Sequence, residues 1–293
     1  MKPVGDRDPT PPATLLGAVR ASLDDLLGAR YAAVGVPLGG HPDGPGAIRA
    51  ASTAYLPWRE AAEAEAGVRV VDYGDVAVDD ADAAGSFLRA HERIADVLAA
   101  GAAPLVLGGS ALATVPVLQV LAGKLSGRLG VVSISPSLDL DPATGDVREN
   151  RWRRALELGV CDPRALVLVG DRGGPGDAAS RREARSAGVR RYSLGDVADL
   201  GIVTVAREAL EAAGSGTEAV YLSVDLSVVE GGGEPVGLGA TGLAVAIGIV
   251  AKAHLAAADL CGVDRAAASG PTPLLAARLA AGVVAAGATG DEP

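Results

Sequence analysis

The side chains best suited to chemistry are carboxylates that end short apolar segments. Asp139 ends the run V-V-S-I-S-P-S-L-D, and Asp225 ends the run A-V-Y-L-S-V-D. Loops at the carboxyl ends of parallel strands form the ligand sites of α/β sheets, so both are candidates for such a site. If the fold brings these two carboxylates together, they repel, which raises one pKa and suits general acid–base catalysis. The alternative is that each only accepts backbone N–H groups at a strand end.

Small hydroxyl side chains cluster around the same segment ends. The serines predicted to line a substrate pocket are Ser110, Ser135, Ser137 and Ser227. No histidine stands at a predictable position beside them, so the sequence does not indicate a Ser-His-Asp triad. They are either nucleophiles or small polar residues that fill space.

Two arginines and one histidine complete the candidate set. Arg151 and Arg172 either bind a carboxylate of the substrate or pair with the two aspartates. His41 lies in the loop G-G-H-P-D-G-P-G after the first predicted strand, where it either contacts a ligand, acts as a base, or is simply solvated. His91 and His254 are predicted to lie in helices away from this edge.

Apolar segments of strand length alternate with helical patterns along the chain. The predicted strands are 31–37, 68–73, 104–107, a segment from Val131, 165–170, 189–193, 219–224 and 260–263. The predicted helices are 14–29, one from about Ala47, 83–100, 114–122, 151–158, 180–187, 202–213, 243–257 and 272–286. This alternation predicts a three-layer αβα fold with a mostly parallel sheet of about eight strands. We predict one domain over 14–288 after a disordered lead-in, 1–13.

Composition excludes several classes of partner. The 293 residues carry a net charge of −10 and only 3% aromatic residues, so binding to nucleic acid or to an anionic membrane is not expected. The start lacks the apolar segment of a signal peptide, and no later apolar run reaches the length of a membrane span. Cys161 and Cys261 are too few for a disulfide framework, which suits a reducing cytoplasm.

From about residue 32 to residue 286, the chain resembles the arginase/agmatinase (ureohydrolase) family. The matching segments are G-V-P-L-G-G-H-P-D-G-P-G-A-I-R at 35–49, V-D-Y-G-D-V at 71–76, P-L-V-L-G-G-S-A at 104–111, R-R-A-L-E-L-G-V-C-D-P-R at 153–164, Y-L-S-V-D-L-S at 221–227 and L-L-A-A-R-L at 274–279. The resemblance implies an arginase-like fold and assembly as a homo-trimer or hexamer. It also implies two manganese ions whose bridging hydroxide attacks a guanidinium carbon.

The chain departs from that family pattern at the metal ligands. The family's Gly-Gly-Asp-His, Asp-Ala-His-x-Asp and Ser-x-Asp-x-Asp segments align with 108–111, 135–139 and 223–227. Four of the six implied ligands are therefore replaced, by Ala111, Ser135, Ser137 and Ser227. The family's His-Gly-Thr element falls near 149–151, without a histidine, and its late Val-Glu pair falls near 266–267. We therefore predict no bound metal, no other cofactor and no arginase or agmatinase activity.

Three functions remain open at this point. The first is a metal-independent enzyme that uses Asp139, Asp225 and His41 on a small cationic or amino-acid-like substrate in specialised metabolism. The second is a catalytically inactive binding or regulatory subunit, including one in a hetero-oligomer with a catalytic relative. The third is a residual metal-dependent hydrolase of C–N bonds.

Overall fold

The computed structural model describes residues 12–39, 42–125, 129–143, 145, 150–173, 177–230, 236–263 and 271–289. Its strands are β1 (Val19–Arg20), β2 (Tyr31–Val36), β3 (Val70–Asp75), β4 (Ala103–Gly108), β5 (Leu129–Ile134), β6 (Leu166–Asp171), β7 (Arg190–Ser193), β8 (Ala219–Asp225) and β9 (Leu255–Cys261). Its α-helices are α1 (Gly44–Ser52), α2 (Leu56–Ala66), α3 (Ala83–Ala99), α4 (Thr114–Lys124), α5 (Arg151–Glu157), α6 (Ala178–Ala187), α7 (Leu194–Leu200), α8 (Ile202–Gly214), α9 (Ala240–Val250) and α10 (Pro271–Gly287).

The strands form a nine-stranded sheet in the order β1-β3-β2-β4-β9-β8-β5-β6-β7, and each neighbouring pair is parallel. The carboxyl ends of all these strands therefore lie along one edge. The four strands β4, β9, β8 and β5 are adjacent in the middle of the sheet, so the segments that follow them converge. The predicted three-layer α/β architecture is confirmed, with nine strands instead of about eight.

Helices cover both faces of the sheet. Neighbouring residues of a strand point to opposite faces, so each strand contributes side chains to two separate core clusters. In β4, Leu105 and Leu107 pack in a core cluster with residues of α1, α8, α9 and α10. Val106 points the other way, into a second cluster with residues of α3, α4, α5 and α6. Burial on both faces explains why the strands are runs of Val, Leu, Ile and Ala. No helix in the described ranges is long and apolar enough to cross a membrane.

The prediction of a helix over 14–29 was wrong. The segment instead contains 3-10 turns at Leu15–Gly17 and Asp24–Leu26 with β1 between them. The N–H groups of Leu15 and Leu16 donate to Asp72 Oδ2 and Ser52 Oγ, each at 2.7 Å, which a helix start would also permit. The backbone further on pairs with β3 instead of with the preceding turn, since Ala21 N donates to the Asp72 carbonyl at 2.8 Å. Leu16 also has a φ of 53°, which ends any regular helix.

The boundary between α9 and β9 was also predicted wrongly. α9 ends at Val250 and β9 begins at Leu255, so the predicted helix over 243–257 is too long at its end and the predicted strand over 260–263 begins too late. His254 consequently lies just before β9, at the opposite edge of the sheet, and not in a helix. His91 lies in α3 as predicted, whereas α2 and α7 were not predicted at all.

A glycine in the central sheet provides a test of this packing. A Cβ atom on Gly130 would lie 1.9 Å from the carbonyl oxygen of Ala213 in α8. Because backbone blocks the added methyl, we expect Gly130→Ala to lower the free energy of unfolding by roughly 1–3 kcal/mol, measured by urea denaturation. Gly123→Ala is the matched control, because its Cβ would meet nothing within 4 Å. An undiminished stability of Gly130→Ala would contradict the described contact between α8 and β5.

Candidate functional site

The candidate site is the edge where β4, β9, β8 and β5 end side by side. These ends bring together the segments that carry Ser110, Ser135, Asp225 and Cys261. The segment after β5 then leads through Asp139 to the start of α5, where Arg151 stands. The topology of the sheet therefore unites groups from four separated parts of the sequence.

The centre of the site is an ion pair between Asp139 and Arg151. Asp139 is 6% exposed and Arg151 is 1% exposed. Arg151 Nε lies 2.7 Å from Asp139 Oδ2, and Ser137 Oγ donates a hydrogen bond to Asp139 Oδ1. Burial raises the pKa of the Asp139 carboxyl, while Arg151 and Ser137 act to lower it. The expected rise in one pKa is thus present, but its first cause is burial, and the repulsion from Asp225 is a smaller contribution.

The backbone also connects these two residues. Asp139 has a φ of +48°, a left-handed conformation that costs energy for any residue with a side chain. This conformation presents its carbonyl oxygen to the start of α5, where Trp152 N donates to it at 3.2 Å and Arg153 N at 3.5 Å. Asp139 therefore binds α5 through its carbonyl and the Arg151 side chain through its carboxylate.

The guanidinium group of Arg151 contacts three further side chains. Nη1 donates to Thr114 Oγ1 at 3.4 Å, and Nη2 donates to Ser135 Oγ at 3.4 Å. The central carbon lies 5.2 Å from the ring centroid of the buried Trp152. Burial opposes the charged form, but the pKa of Arg151 is nevertheless raised by the nearby Asp139, Cys261, Asp225 and Asp259. The charged guanidinium is therefore stable in this buried position.

A second buried carboxylate, Asp259 in β9, adjoins the first pair. It is 0% exposed and accepts hydrogen bonds from Ser223 Oγ at 3.1 Å, from Thr114 Oγ1 at 3.2 Å, and from the Tyr221 hydroxyl. Burial raises the pKa of Asp259, and it raises the pKa of the Tyr221 hydroxyl well above its ordinary value. Thr114 bonds to both Asp259 and Arg151, so the two carboxylates belong to one connected network.

Asp225 lies beside this network in a different role. Its Oδ1 accepts hydrogen bonds from Ser227 N at 2.9 Å and from Ser227 Oγ at 2.6 Å. This is the strand-end arrangement that the sequence left open as the alternative to acid–base catalysis. Gly262 permits the close approach, since a Cβ there would lie 2.2 Å from Asp225 Oδ1.

The other predicted site residues have structural contacts. Arg172 donates from Nη2 to the Ser227 carbonyl at 2.6 Å and from Nε to the Val236 carbonyl at 3.0 Å, so it does not pair with either aspartate. Ser110 donates to the Leu38 carbonyl at 2.9 Å. Arg172 and Ser110 thus fix loops around the site. His41 and the expected Val-Glu position near 266–267 lie outside the described residues.

The described side chains at this edge do not fit a dinuclear manganese centre. Arg151 already neutralises Asp139, and Ala111 offers no ligand atom. In the described part of the chain, no three His, Cys, Asp or Glu side chains are grouped so that they could hold a metal ion. Hydroxyl groups such as those of Ser135 and Ser137 are poor replacements for carboxylates and imidazoles.

Sequence reasoning missed half of the polar network. It did not single out Thr114, Tyr221, Ser223 or Asp259, and it considered Cys261 only in the cysteine count. One signal was available for Asp259, which interrupts the apolar run L-A-A-A-D-L-C at 255–261. A carboxylate inside a fully buried strand requires partners, and those partners locate the network.

Comparisons with known proteins give consistent results. The model of the arginase family matches residues 25–285. Guanidinopropionase from Pseudomonas aeruginosa is 32% identical over 167 residues, which cover 56% of this chain and 51% of that protein. Formimidoylglutamase from Halalkalibacterium halodurans is 26% identical over 210 residues, which cover 70% of this chain and 66% of that protein. The chain thus spans from about half to two thirds of the length of these two relatives.

Solved structures show the same fold. Proclavaminate amidino hydrolase from Streptomyces clavuligerus superposes with a TM-score of 0.80 at 22% identity, covering 95% of this chain and 97% of that one. Formimidoylglutamase from Bacillus subtilis superposes with a TM-score of 0.79 at 20% identity, covering 98% of this chain and 96% of that one.

Proposed function

The chain belongs to the arginase family, and from that premise we propose that it is a non-hydrolysing member that acts as a binding or regulatory subunit. Its relatives include proteins named for the hydrolysis of guanidino acids and for formimidoylglutamate. The proposal is that this chain keeps their fold but not the metal chemistry that the family resemblance implies.

One observation carries this proposal: the wholly buried guanidinium of Arg151 is ion-paired with Asp139 at the edge where the catalytic centre would lie. Asp139 is one of only two implied metal ligands that the sequence retains. The other, Asp225, is bonded to Ser227. A catalytic site needs space for substrate and water next to its reactive groups, whereas the chain's own arginine fills this one.

An oligomer is part of the same proposal. The family resemblance implies a homo-trimer or hexamer, and an inactive subunit would exert its effect through such contacts. We propose that the chain assembles either with itself or with a catalytically intact relative. Sedimentation of the purified chain, alone and mixed with such a relative, tests this, and a monomer in both experiments contradicts it.

A metal-independent enzyme is the second candidate, and the strained conformation of Asp139 favours it. Residues held at a positive φ with a raised pKa recur at active sites. In that case Asp139→Asn abolishes turnover of a small cationic or amino-acid-like substrate, while Asp141→Asn, two residues further on, leaves it unchanged. Equal activity of the two variants removes this candidate.

We expect the wild-type protein to contain no stoichiometric metal and to release neither urea from the guanidino compounds nor formamide from formimidoylglutamate. The protein is expressed with manganese, nickel and zinc supplied, and its metal content is measured by mass spectrometry. Arginine, agmatine, 3-guanidinopropionate and formimidoylglutamate are then assayed with added manganese, with an intact family member as positive control. Manganese-dependent release at a rate comparable with that control contradicts the proposal and restores the third function, a metal-dependent C–N hydrolase.

A further inference from the structure

We propose that Arg151 is the permanent cation of this centre, held as a tethered ligand in a site built for a planar guanidinium group. The inference rests on the proposed function, since it assumes that no metal occupies the centre. It goes further by assigning the chemical class of the ligand that the centre binds. It also predicts that a free guanidinium ion replaces the side chain once Arg151 is shortened.

All three nitrogens of the Arg151 guanidinium group lie close to an oxygen atom of a partner side chain. Nε lies 2.7 Å from Asp139 Oδ2 as an ion-pair contact without hydrogen-bond geometry, whereas Nη1 donates to Thr114 Oγ1 at 3.4 Å and Nη2 donates to Ser135 Oγ at 3.4 Å. The three partners come from two segments, since Thr114 follows β4 while Ser135 and Asp139 both lie between β5 and α5. An ammonium group is a point charge without this fork of donors, so lysine cannot reproduce all three contacts.

The acidic groups around Arg151 favour a cation there. Asp139, Asp259 and Asp225 all favour its charged form, and the first two are buried carboxylates. Buried like charges repel unless a positive charge lies among them. In the structure, Asp139 forms an ion pair with Arg151, whereas Asp259 accepts hydrogen bonds from hydroxyl groups. Removal of the guanidinium would leave an acidic, guanidinium-shaped hole.

The attachment of α5 explains why the ligand stays in place. Trp152 N donates to the Asp139 carbonyl at 3.2 Å, and Trp152 is itself 0% exposed against Tyr221, with ring centroids 6.2 Å apart. Trp152, the residue after Arg151, is therefore also held by contacts that do not involve the guanidinium group. Shortening Arg151 should empty the site without releasing the helix.

The first experiment is chemical rescue of Arg151→Ala by guanidinium chloride. We expect the variant to melt roughly 5–10 °C below wild type and to regain at least half of that loss in millimolar guanidinium. Sodium chloride at equal ionic strength, and urea as the neutral molecule of similar shape, should restore nothing. Arg153→Ala on the same helix is the matched control, since among the described residues the Arg153 side chain forms its ion pair with the exposed Glu157, and this variant should show neither loss nor rescue. A fall in Tm that guanidinium does not reverse overturns the proposal.

Two further variants keep the test decisive if Arg151→Ala does not fold. Arg151→Lys keeps the charge without the fork, and Arg151→Met keeps the length of the side chain without the charge. We expect Tm to fall in the order wild type, Lys, Met. If the methionine variant is as stable as wild type, packing alone explains Arg151 and the proposal fails. The metal content of the same wild-type sample distinguishes this failure from failure of the proposed function. A bound metal would contradict the proposed function, whereas a metal-free protein that behaves in this way would contradict only the role assigned to Arg151.

Discussion

Restoring the four missing ligands is expected to create a manganese site only when Arg151 is removed as well. The restored variant carries Ala111→His, Ser135→Asp, Ser137→His and Ser227→Asp, and the open variant adds Arg151→Ala. We expect the open variant to bind about two manganese ions per chain, as dinuclear sites of this kind do. The restored variant with Arg151 intact should bind none, because its guanidinium already pairs with Asp139.

The physical reason is competition for the same carboxylate. A metal ion that binds Asp139 must displace a buried guanidinium, and displacing one partner of a buried ion pair costs about 3–5 kcal/mol. The displaced Arg151 side chain would also remain positively charged next to two manganese ions. Isothermal titration with manganese, compared between the restored and open variants, measures the difference. Equal manganese affinity in the two variants would show that Arg151 does not occupy the metal position.

The strands of this fold could be predicted from the sequence because their burial is simple. Tyr31–Val36 and Ala219–Asp225 are mostly apolar runs that end at turn residues or carboxylates, so both were placed within one residue. β9 was not, because its alanines occur equally in helices and strands and an aspartate interrupts it. The helix predicted over 14–29 failed for a different reason. Its hydrophobic spacing is helical, but residues 19–21 pair with β3, which is distant in the sequence, instead of with the preceding turn.

The candidate site was predicted less completely than the fold. Asp139, Ser135 and Arg151 were singled out, and the pairing of Arg151 with Asp139 was one of two interpretations that the sequence left open. The sequence could not choose between them, because the choice depends on where the start of α5 lies relative to the end of β5. A helix start at Thr114 was predicted, but nothing in T-V-P-V-L indicates that this helix start faces a buried carboxylate. Such contacts depend on the order of the strands in the sheet, which cannot be predicted from the residue pattern of a single segment.

Asp259→Ala is expected to be among the most destabilising single changes in the chain. Its carboxylate accepts hydrogen bonds from Ser223, Thr114 and Tyr221, and all four side chains are buried. Removing the acceptor leaves these hydroxyl groups without their partner and removes a negative charge near Arg151. We expect a loss of about 3–5 kcal/mol in the free energy of unfolding, measured by urea denaturation. Asp80→Asn, at an exposed position, controls for the loss of a charge and should change stability by less than about 0.5 kcal/mol.

The pH dependence of stability distinguishes the charge of Asp259 from its hydrogen bonds. Burial raises its pKa in the folded state, so the folded protein holds this proton more tightly than the unfolded chain does. The resulting stabilisation is present below the ordinary pKa of 3.8 and is lost as pH rises through the folded-state value. Asp139 contributes in the same direction. Asp259→Asn, which keeps the shape and cannot titrate, should therefore reduce the decline in stability above pH 4 without abolishing it. An unchanged slope would mean that Asp259 has the same pKa in both states, and that its buried hydroxyl partners and Arg151 fully offset the cost of its burial.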